Sequence, residues 1–297
     1  MTTIKHDFAD VNGIRMHYAH AGPESGPRKL MLFAHGFPEF WYCWRQLLPE
    51  FARDFHAVAP DMRGYNLTSK PPHVDDYAMG TLIDDLGGLA KHLGYQKFTL
   101  VAHDWGGGVA WSLAIRHPEL LDRLIIINSP HPTVFERELN TNPAQQKASM
   151  YTRHFQSTKV DSMLLANECK GLQDICLTAG LKDGHITEAD RQEYLKAWAQ
   201  PGAVTGMLNY YRAAKMGPPV APGETARSFE TGVKNPIVKV PTLVIWGEKD
   251  VHLMTSCLDG LDAYVPDLTI KRIPDGSHWV INEQPQTVAR HMRDWMG

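Results

Sequence analysis

A strand, a sharp turn and a helix follow one another at residues 98–117, and this succession constrains the fold more than any other part of the chain. Residues 98–102 are an apolar run too short for a helix, whereas residues 109–117 have the apolar spacing of a helix. Between them, residues 102–106 read Ala-His-Asp-Trp-Gly, with a small residue two positions on either side of the aspartate. Small flanking residues let a strained turn pass close to its neighbours. The pattern therefore predicts that Asp104 projects above the carboxyl end of a buried strand.

An aspartate at this position has a chemical consequence. Its carboxylate, with an ordinary pKa of about 4, is ionised at neutral pH and attacks saturated carbon without a base. Attack leaves an ester on the protein, so product release needs a water molecule, a base that activates it and donors for the oxyanion. The alternative is that Asp104 only caps the following helix.

The composition limits the classes of function. The chain has 297 residues, 43% of them hydrophobic and 21% charged, and a net charge of −3. These values predict a folded core with one insertion, and no nucleic-acid or membrane partner. We expect a small-molecule substrate, no metal and no cofactor. The composition leaves open whether the protein is a monomer or a homodimer.

The spacing of the cysteines and the first eight residues of the chain give an expectation for the cellular compartment. The spacing of the four cysteines fits neither a zinc site nor a dense disulfide framework. The first eight residues lack the apolar segment of a signal peptide, and the longest apolar runs are only strand-sized. We therefore expect reduced thiols, no membrane span and a cytoplasmic location.

Strand-like and helix-like segments alternate along most of the chain. The alternation stops near residue 133 and returns near residue 240, and the intervening stretch has helical character. We predict an α/β core domain of residues 1–132 and 236–297, with residues 133–235 inserted as a helical cap above Asp104. The segments of strand character are 8–11, 14–19, 30–34, 57–60, 98–102, 124–127, 242–246 and 268–273.

Two turns follow the third and fourth of these strands. Residues 35–39 read His-Gly-Phe-Pro-Glu, where glycine and proline predict a tight turn. We expect His35 to hold this turn by hydrogen bonds, and the N–H groups of Phe37 and Trp105 to serve as oxyanion donors. Residues 61–64, Asp-Met-Arg-Gly, predict a turn with an internal ion pair.

The seventh and eighth strands lead to residues that complete a catalytic set. Because catalytic groups in open α/β sheets gather at the carboxyl edge, Asp104, Asp250 and His278 are predicted to meet there. His278 would activate water, and Asp250 would fix its tautomer and stabilise the imidazolium. Glu248 is a competing candidate for the acid.

The chain carries five motifs: His35-Gly-Phe-Pro38, His103-Asp-Trp-Gly-Gly107, Asn128-Ser-Pro-His-Pro132, Asn209-Tyr-Tyr-Arg212 and Gly247-Glu-Lys-Asp250. Together they resemble the α/β-hydrolase-fold epoxide hydrolases, nearly end to end. The resemblance implies the α/β-hydrolase fold, in which helices flank a mostly parallel eight-stranded sheet and form an inserted cap. It also implies that an epoxide and water give a vicinal diol through a covalent aspartyl ester, with no cofactor.

The same resemblance implies two catalytic tyrosines in the cap. Phenols, with an ordinary pKa of about 10, stay protonated at neutral pH and donate to the epoxide oxygen. Residues 209–212 resemble the motif of the second tyrosine, which gives that role to Tyr211 rather than Tyr210. Residues 151–156 resemble the segment of the first tyrosine, which gives that role to Tyr151.

The aspartate turn is shared with haloalkane dehalogenases, which are the main alternative. Such an enzyme would bind halide through Trp105 and a second donor, for which Trp198 is a candidate. A haloacid dehalogenase would need arginines just after Asp104, where this chain has Trp105 and Gly108. A hydrolase-fold binding protein without turnover is a further alternative, which the complete set of catalytic side chains disfavours.

Large apolar residues are candidates for the substrate pocket. They are Trp41, Phe155, Met163 and Trp198. Core packing would explain each of them equally well. The size and handedness of the substrate depend on how the cap packs, which periodicity alone does not give.

Overall fold

The apolar segments of the sequence pair into a sheet of eight strands. The computed structural model describes residues 2–23, 29–229, 231–234 and 236–297. The strands are β1 (Lys5–Val11), β2 (Ile14–Ala21), β3 (Lys29–Ala34), β4 (Phe55–Pro60), β5 (Phe98–His103), β6 (Leu121–Ile127), β7 (Thr242–Gly247) and β8 (Leu268–Ile273). Their order across the sheet is β1-β2-β4-β3-β5-β6-β7-β8. Every strand predicted from the sequence is present.

The sheet begins as a hairpin and continues as parallel strands. Asn12 and Gly13 join β1 to β2 with φ of 46° and 75°, the left-handed conformation that an Asn-Gly turn adopts. β2 pairs antiparallel with β4, and all the later pairs are parallel. The carboxyl ends of β3 to β8 therefore share one edge, and the residues that follow these strands meet there.

Helices cover both faces of the sheet because its parallel strands are apolar on both sides. In β3, Leu30 and Leu32 pack into one core, while Met31 and Phe33 pack into the core on the opposite face. No helix among the described residues is long and apolar enough to cross a membrane. The α-helices are α1 (Leu47–Phe51), α2 (Met79–His92), α3 (Asp104–Arg116), α4 (Pro132–Thr141), α5 (Pro143–Ala148), α6 (Tyr151–His154), α7 (Lys159–Cys176), α8 (Thr178–Asp183), α9 (Glu188–Trp198), α10 (Ala203–Ala214), α11 (Val280–Glu283) and α12 (Pro285–Met296).

The segment between β6 and β7 carries helices α4 to α10. Its side chains bond to the core, since the Tyr210 hydroxyl donates to the Arg63 carbonyl oxygen at 2.9 Å. The predicted α/β fold with a helical insertion is confirmed. The division into domains at residues 132/133 and 235/236 stays a prediction, and Asn235 lies outside the described residues.

The turn after β4 differs from the prediction. Asp61 and Arg63 do not pair with each other: Arg63 forms an ion pair with Asp85 in α2, with 2.7 Å between Nη2 and Oδ1. Asp61 Oδ2 lies 2.6 Å from Nδ1 of His17, and its Oδ1 accepts from the Trp41 N–H at 3.1 Å. Asp61 and Asp85 are both buried, so each carboxylate needs a partner, and for both the partners include a residue distant in the chain.

Candidate active site

The turn after β5 holds Asp104 in an uncommon backbone conformation. Asp104 begins α3 with φ of 49°, in the left-handed region that residues other than glycine rarely adopt. A Cβ on Gly106 would lie 2.3 Å from the carbonyl oxygen of Ala34, so glycine is needed for the turn to pass β3. The Ser129 hydroxyl donates to the carbonyl oxygen of Asp104 at 2.8 Å. These contacts fix Asp104 at the carboxyl edge of the sheet.

The turn after β3 supplies a donor to the carboxylate. The Phe37 N–H donates to Oδ1 of Asp104 at 2.7 Å. His35 holds this turn, as predicted: its Nε2 accepts from the Met62 N–H at 2.9 Å, and its Nδ1 lies 3.0 Å from the Gly36 carbonyl oxygen. One carboxylate oxygen of Asp104 is therefore bound by backbone, and Oδ2 remains for chemistry.

His278 and Asp250 form a hydrogen-bonded pair beside Asp104. His278 Nδ1 lies 2.7 Å from Oδ2 of Asp250, and its Nε2 lies 3.7 Å from Oδ2 of Asp104. Two backbone N–H groups of the following turn donate to Oδ1 of Asp250 at 2.8 and 2.9 Å. Glu248, the competing acid, instead pairs with Arg272, with 2.9 Å between Oε1 and Nη1. The geometry makes Asp250 the acidic partner of His278.

The charges in this group shift two pKa values. Burial would lower the pKa of the His278 imidazole, but the carboxylates of Asp250 and Asp104 raise it to about 9. Burial would likewise raise the pKa of Asp250, but attraction to His278 and the hydrogen bonds that its carboxylate accepts hold it below its ordinary value. At neutral pH, His278 is therefore an imidazolium between two carboxylates.

The raised pKa of His278 gives a stability that disappears at alkaline pH. Below about pH 6.5, the ordinary histidine pKa, both the folded and the unfolded states are protonated, and this stabilisation is fully present. As the pH rises toward 9, only the folded state keeps the proton, so the free energy of unfolding falls. We expect a loss of about 2–3 kcal/mol over this range in urea unfolding experiments. His278→Gln, which has no group titrating there, should lose this slope; an equal slope in both proteins would contradict the assignment.

Two tyrosines from the inserted helices, buried Tyr211 and half-buried Tyr151, face the same space as Asp104. Tyr211 lies in α10 and Tyr151 begins α6; both line one cavity with Asp104, and their ring centroids are 6.2 Å apart. Burial is the main cause that raises the pKa of each phenol well above its usual range, and the Asp104 carboxylate adds to it. Both phenols are therefore protonated at neutral pH, with an O–H that can donate a hydrogen bond. Tyr210 lies outside the lining of this cavity.

The cavity around these groups has a volume of about 470 Å³. This is the size of site that encloses a small organic molecule. Phe155, a predicted pocket residue, is in its lining. The other apolar side chains that line it are Phe37, Ala148, Ile175, Val251 and Trp279.

The other three candidates for the pocket do not line this cavity. Trp41 lines a separate surface groove. Trp198 is 1% exposed and donates its indole N–H to the Pro38 carbonyl oxygen at 2.7 Å. Met163 is 68% exposed on α7. Apolar character alone does not separate cavity lining from core or surface, because all three accept large apolar side chains.

Some residues that hold the site were not singled out from the sequence. The Asn128 side chain donates to Oδ2 of Asp250 at 2.8 Å. His103 Nε2 lies 2.9 Å from the carbonyl oxygen of His278, and its other ring nitrogen lies 3.4 Å from a carboxylate oxygen of buried Glu39. The available signal was position: His103 ends β5 and Asn128 directly follows β6, at the edge where the catalytic groups gather.

The chain resembles known proteins along its whole length. Residues 29–166 match the family described as alpha/beta hydrolase fold. The AB hydrolase superfamily protein YfhM of Bacillus subtilis is 36% identical over 297 residues, which cover all of this chain and 99% of that protein. Human epoxide hydrolase 4 is 37% identical over 94% of this chain and 75% of that protein.

Solved structures agree with the sequence relatives. The crystal structure of Bacillus megaterium epoxide hydrolase in complex with an inhibitor is similar with a TM-score of 0.91 and 38% identity, covering 98% of this chain and 99% of that chain. An epoxide hydrolase from metagenomes of hot environments gives a TM-score of 0.87 and 35% identity, covering 99% of both chains. The chain therefore belongs to the epoxide hydrolases of the α/β-hydrolase fold.

Proposed function

We propose that this protein hydrolyses an epoxide to a vicinal diol through a covalent ester on Asp104. The observation that carries the proposal is the convergence of a carboxylate, an imidazole and two protonated phenols on one cavity. The family supports it as well, since one solved relative, a mutant of the Bacillus megaterium enzyme, is in complex with its diol product.

In the first step, Oδ2 of Asp104 attacks an oxirane carbon from the face opposite the C–O bond. Oδ1 is held by the Phe37 N–H, so the new bond forms to Oδ2 while the ring C–O bond breaks. The departing oxygen takes a proton from Tyr151 or Tyr211. In the resulting hydroxyalkyl ester, Oδ1 is the carbonyl oxygen, and the Phe37 N–H is already in place to donate to it. We include the Trp105 amide as the second donor of this site.

Ester formation changes the charge around His278. The ester is neutral, so the Asp104 carboxylate, one of the carboxylates that raise the pKa of His278, is lost. The imidazolium can then return its proton to the tyrosinate left by ring opening, which makes His278 a base. It takes a proton from water as the water oxygen attacks the ester carbonyl carbon. The tetrahedral intermediate then collapses, and the bond between the carbonyl carbon and the substrate oxygen breaks. The departing alkoxide takes the proton of the hydroxyl that came from water, so the diol leaves and Asp104 is again a carboxylate.

Gly36→Ala is expected to disable this site sterically. A Cβ on Gly36 would lie 2.3 Å from Oδ1 of Asp104, so the carboxylate would have to move away from the Phe37 N–H. We expect kcat/KM for epoxide hydrolysis to fall about 100-fold or more, measured as diol formation. Gly80→Ala is the matched control, because its Cβ would only make ordinary contact with Arg116 at 3.7 Å. An equal loss of activity in both variants would contradict the steric argument.

The geometry of the cavity fits the reaction of a dehalogenase less well than that of an epoxide hydrolase. The indole N–H of Trp198, a candidate halide donor, is already bonded to the Pro38 carbonyl. No arginine lines the cavity within the described residues, so the carboxylate of a haloacid would lack its bidentate partner. Two phenols directed at the cavity suit a leaving oxygen that becomes basic, whereas a halide leaves without protonation.

The function is tested by incubating the protein separately with styrene oxide, 1-bromobutane and fluoroacetate. We expect diol from styrene oxide and no comparable halide release from the other two. Halide release without diol would identify a dehalogenase instead. A single turnover in ¹⁸O-labelled water, with enzyme in excess, should place label in the peptide that contains Asp104. Label in the diol alone would overturn the ester mechanism.

We also propose a cytoplasmic location. The four cysteines, Cys43, Cys169, Cys176 and Cys257, are all buried free thiols, as reduced compartments favour. The oligomeric state, monomer or homodimer, stays a prediction that light scattering would test.

A further inference from the structure

A histidine without a part in the proposed reaction lies in the catalytic cavity. His252 follows Asp250 by two residues, and its ring meets Tyr151 and His278 edge to face, with centroid distances of 5.5 and 5.4 Å. It is therefore adjacent both to a phenol that would protonate the epoxide oxygen and to the base. Within the described residues, the other polar lining groups are the proposed catalytic residues and the exposed Lys147.

The backbone of His252 is held rigidly, which fixes where its ring lies. Its N–H donates to Oδ1 of Asp250 at 2.8 Å, and its carbonyl oxygen accepts from the side-chain amide of Gln145 at 2.8 Å. The oxygen of the same amide accepts from the Met254 N–H at 2.8 Å. Gln145 is fully buried in α5, and its amide bonds to the backbone of this turn at two places. An inserted helix therefore holds the turn in position. A side chain on such a turn is preorganised for binding.

The imidazole of His252 keeps its hydrogen-bonding capacity for a ligand. Its hydrogen bonds to other described residues are made by its backbone, not by its ring. Burial, with a contribution from the charge of His278, lowers the pKa of His252, so at neutral pH the ring has one N–H donor and one acceptor. Most of the surrounding lining is apolar. A substrate that desolvates this ring without replacing its hydrogen bonds binds less favourably than one that replaces them.

We propose that His252 is a polar subsite that hydrogen-bonds an ether or hydroxyl oxygen in the substituent next to the oxirane. The proposal rests on the proposed function, because it assumes that Asp104 and the two tyrosines hold the oxirane. In that position His252 flanks the substituent, since its ring contacts both Tyr151 and His278. The site therefore favours oxygenated epoxides over hydrocarbon epoxides of the same shape.

A matched pair of substrates tests this subsite. Phenyl glycidyl ether and 2-(2-phenylethyl)oxirane have the same number of non-hydrogen atoms in the same connectivity, and differ only in an ether oxygen that replaces a methylene. The measured quantity is the ratio of their kcat/KM values in wild type and in variants. The inductive effect of the ether is the same in every protein and cancels when the ratios are compared. We expect His252→Leu to lower the ratio about three- to tenfold, and His252→Gln, which retains a donor, to preserve part of it.

The controls separate the subsite from general damage. Ile175→Ala changes the volume of the same cavity but no polar atom, so it should alter both kcat/KM values and leave their ratio unchanged. An unchanged ratio in His252→Leu, or an equal fall in Ile175→Ala, would overturn the proposal. Turnover of the hydrocarbon epoxide by His252→Leu reports an intact fold and reaction. If wild type hydrolyses neither epoxide, it is the proposed function that fails, independently of this subsite.

Discussion

His278→Gln will stop the enzyme at its covalent intermediate. Ring opening depends on Asp104 and the two phenols, all of which the variant retains, whereas ester hydrolysis needs a base that glutamine cannot supply. We expect steady-state diol formation to fall about 10³-fold or more, while one equivalent of epoxide is still consumed. Intact-protein mass spectrometry should then find a mass increase equal to one substrate molecule, located on the peptide that contains Asp104.

The control is the double variant Asp104→Ala with His278→Gln, which should form no adduct under the same conditions. A loss of turnover in His278→Gln with unmodified protein would mean that the imidazolium is already needed for ring opening. The positive charge near Oδ2 of Asp104 makes this a real alternative, because the charge also affects how strongly that oxygen attacks. The mass measurement separates the two cases, since only a role after ester formation leaves the adduct.

The strands and the position of Asp104 could be predicted because their signals are local. A parallel strand buried on both faces needs a continuous apolar run, and β3 and β5 have one. The turn at Asp104 needs small neighbours, and Gly106 approaches the Ala34 carbonyl so closely that no side chain fits. The placement of Asp250 and His278 followed from the common edge at which parallel strands end.

Pairings between distant segments could not be predicted in this way. Asp61 and Arg63 are two positions apart, yet each bonds to a residue on another strand or helix, because the chain direction turns their side chains into different surroundings. Trp198 and Phe155 are both large and apolar. However, Trp198 is buried with its indole N–H bonded to the Pro38 carbonyl oxygen, whereas Phe155 lines the cavity. Which of the two occurs depends on the packing of the inserted helices, and local periodicity carries no information about it.

Replacing both phenols that are proposed to protonate the epoxide oxygen should block the first step rather than the second. In the double variant Tyr151→Phe with Tyr211→Phe, the opening oxirane has no acid, so its oxygen would leave as an alkoxide. We expect a fall in kcat/KM of about 10³-fold or more for the double variant, and about 10–100-fold for each single variant that keeps one donor. Rapid quenching should find no ester on Asp104, the opposite of His278→Gln.

Tyr210→Phe is the matched control for this loss. Tyr210 is adjacent to Tyr211 in α10 and equally buried, but its hydroxyl donates to the Arg63 carbonyl oxygen and not into the cavity. Its removal should cost about 1 kcal/mol of stability and leave the rate of ester formation within a few-fold of wild type. If ester accumulated in the double tyrosine variant, the phenols would act in hydrolysis instead. If Tyr210→Phe lost as much activity as Tyr211→Phe, packing of α10 rather than proton donation would explain both, since the Tyr210 hydroxyl bonds to Arg63 and Tyr210 does not line the cavity.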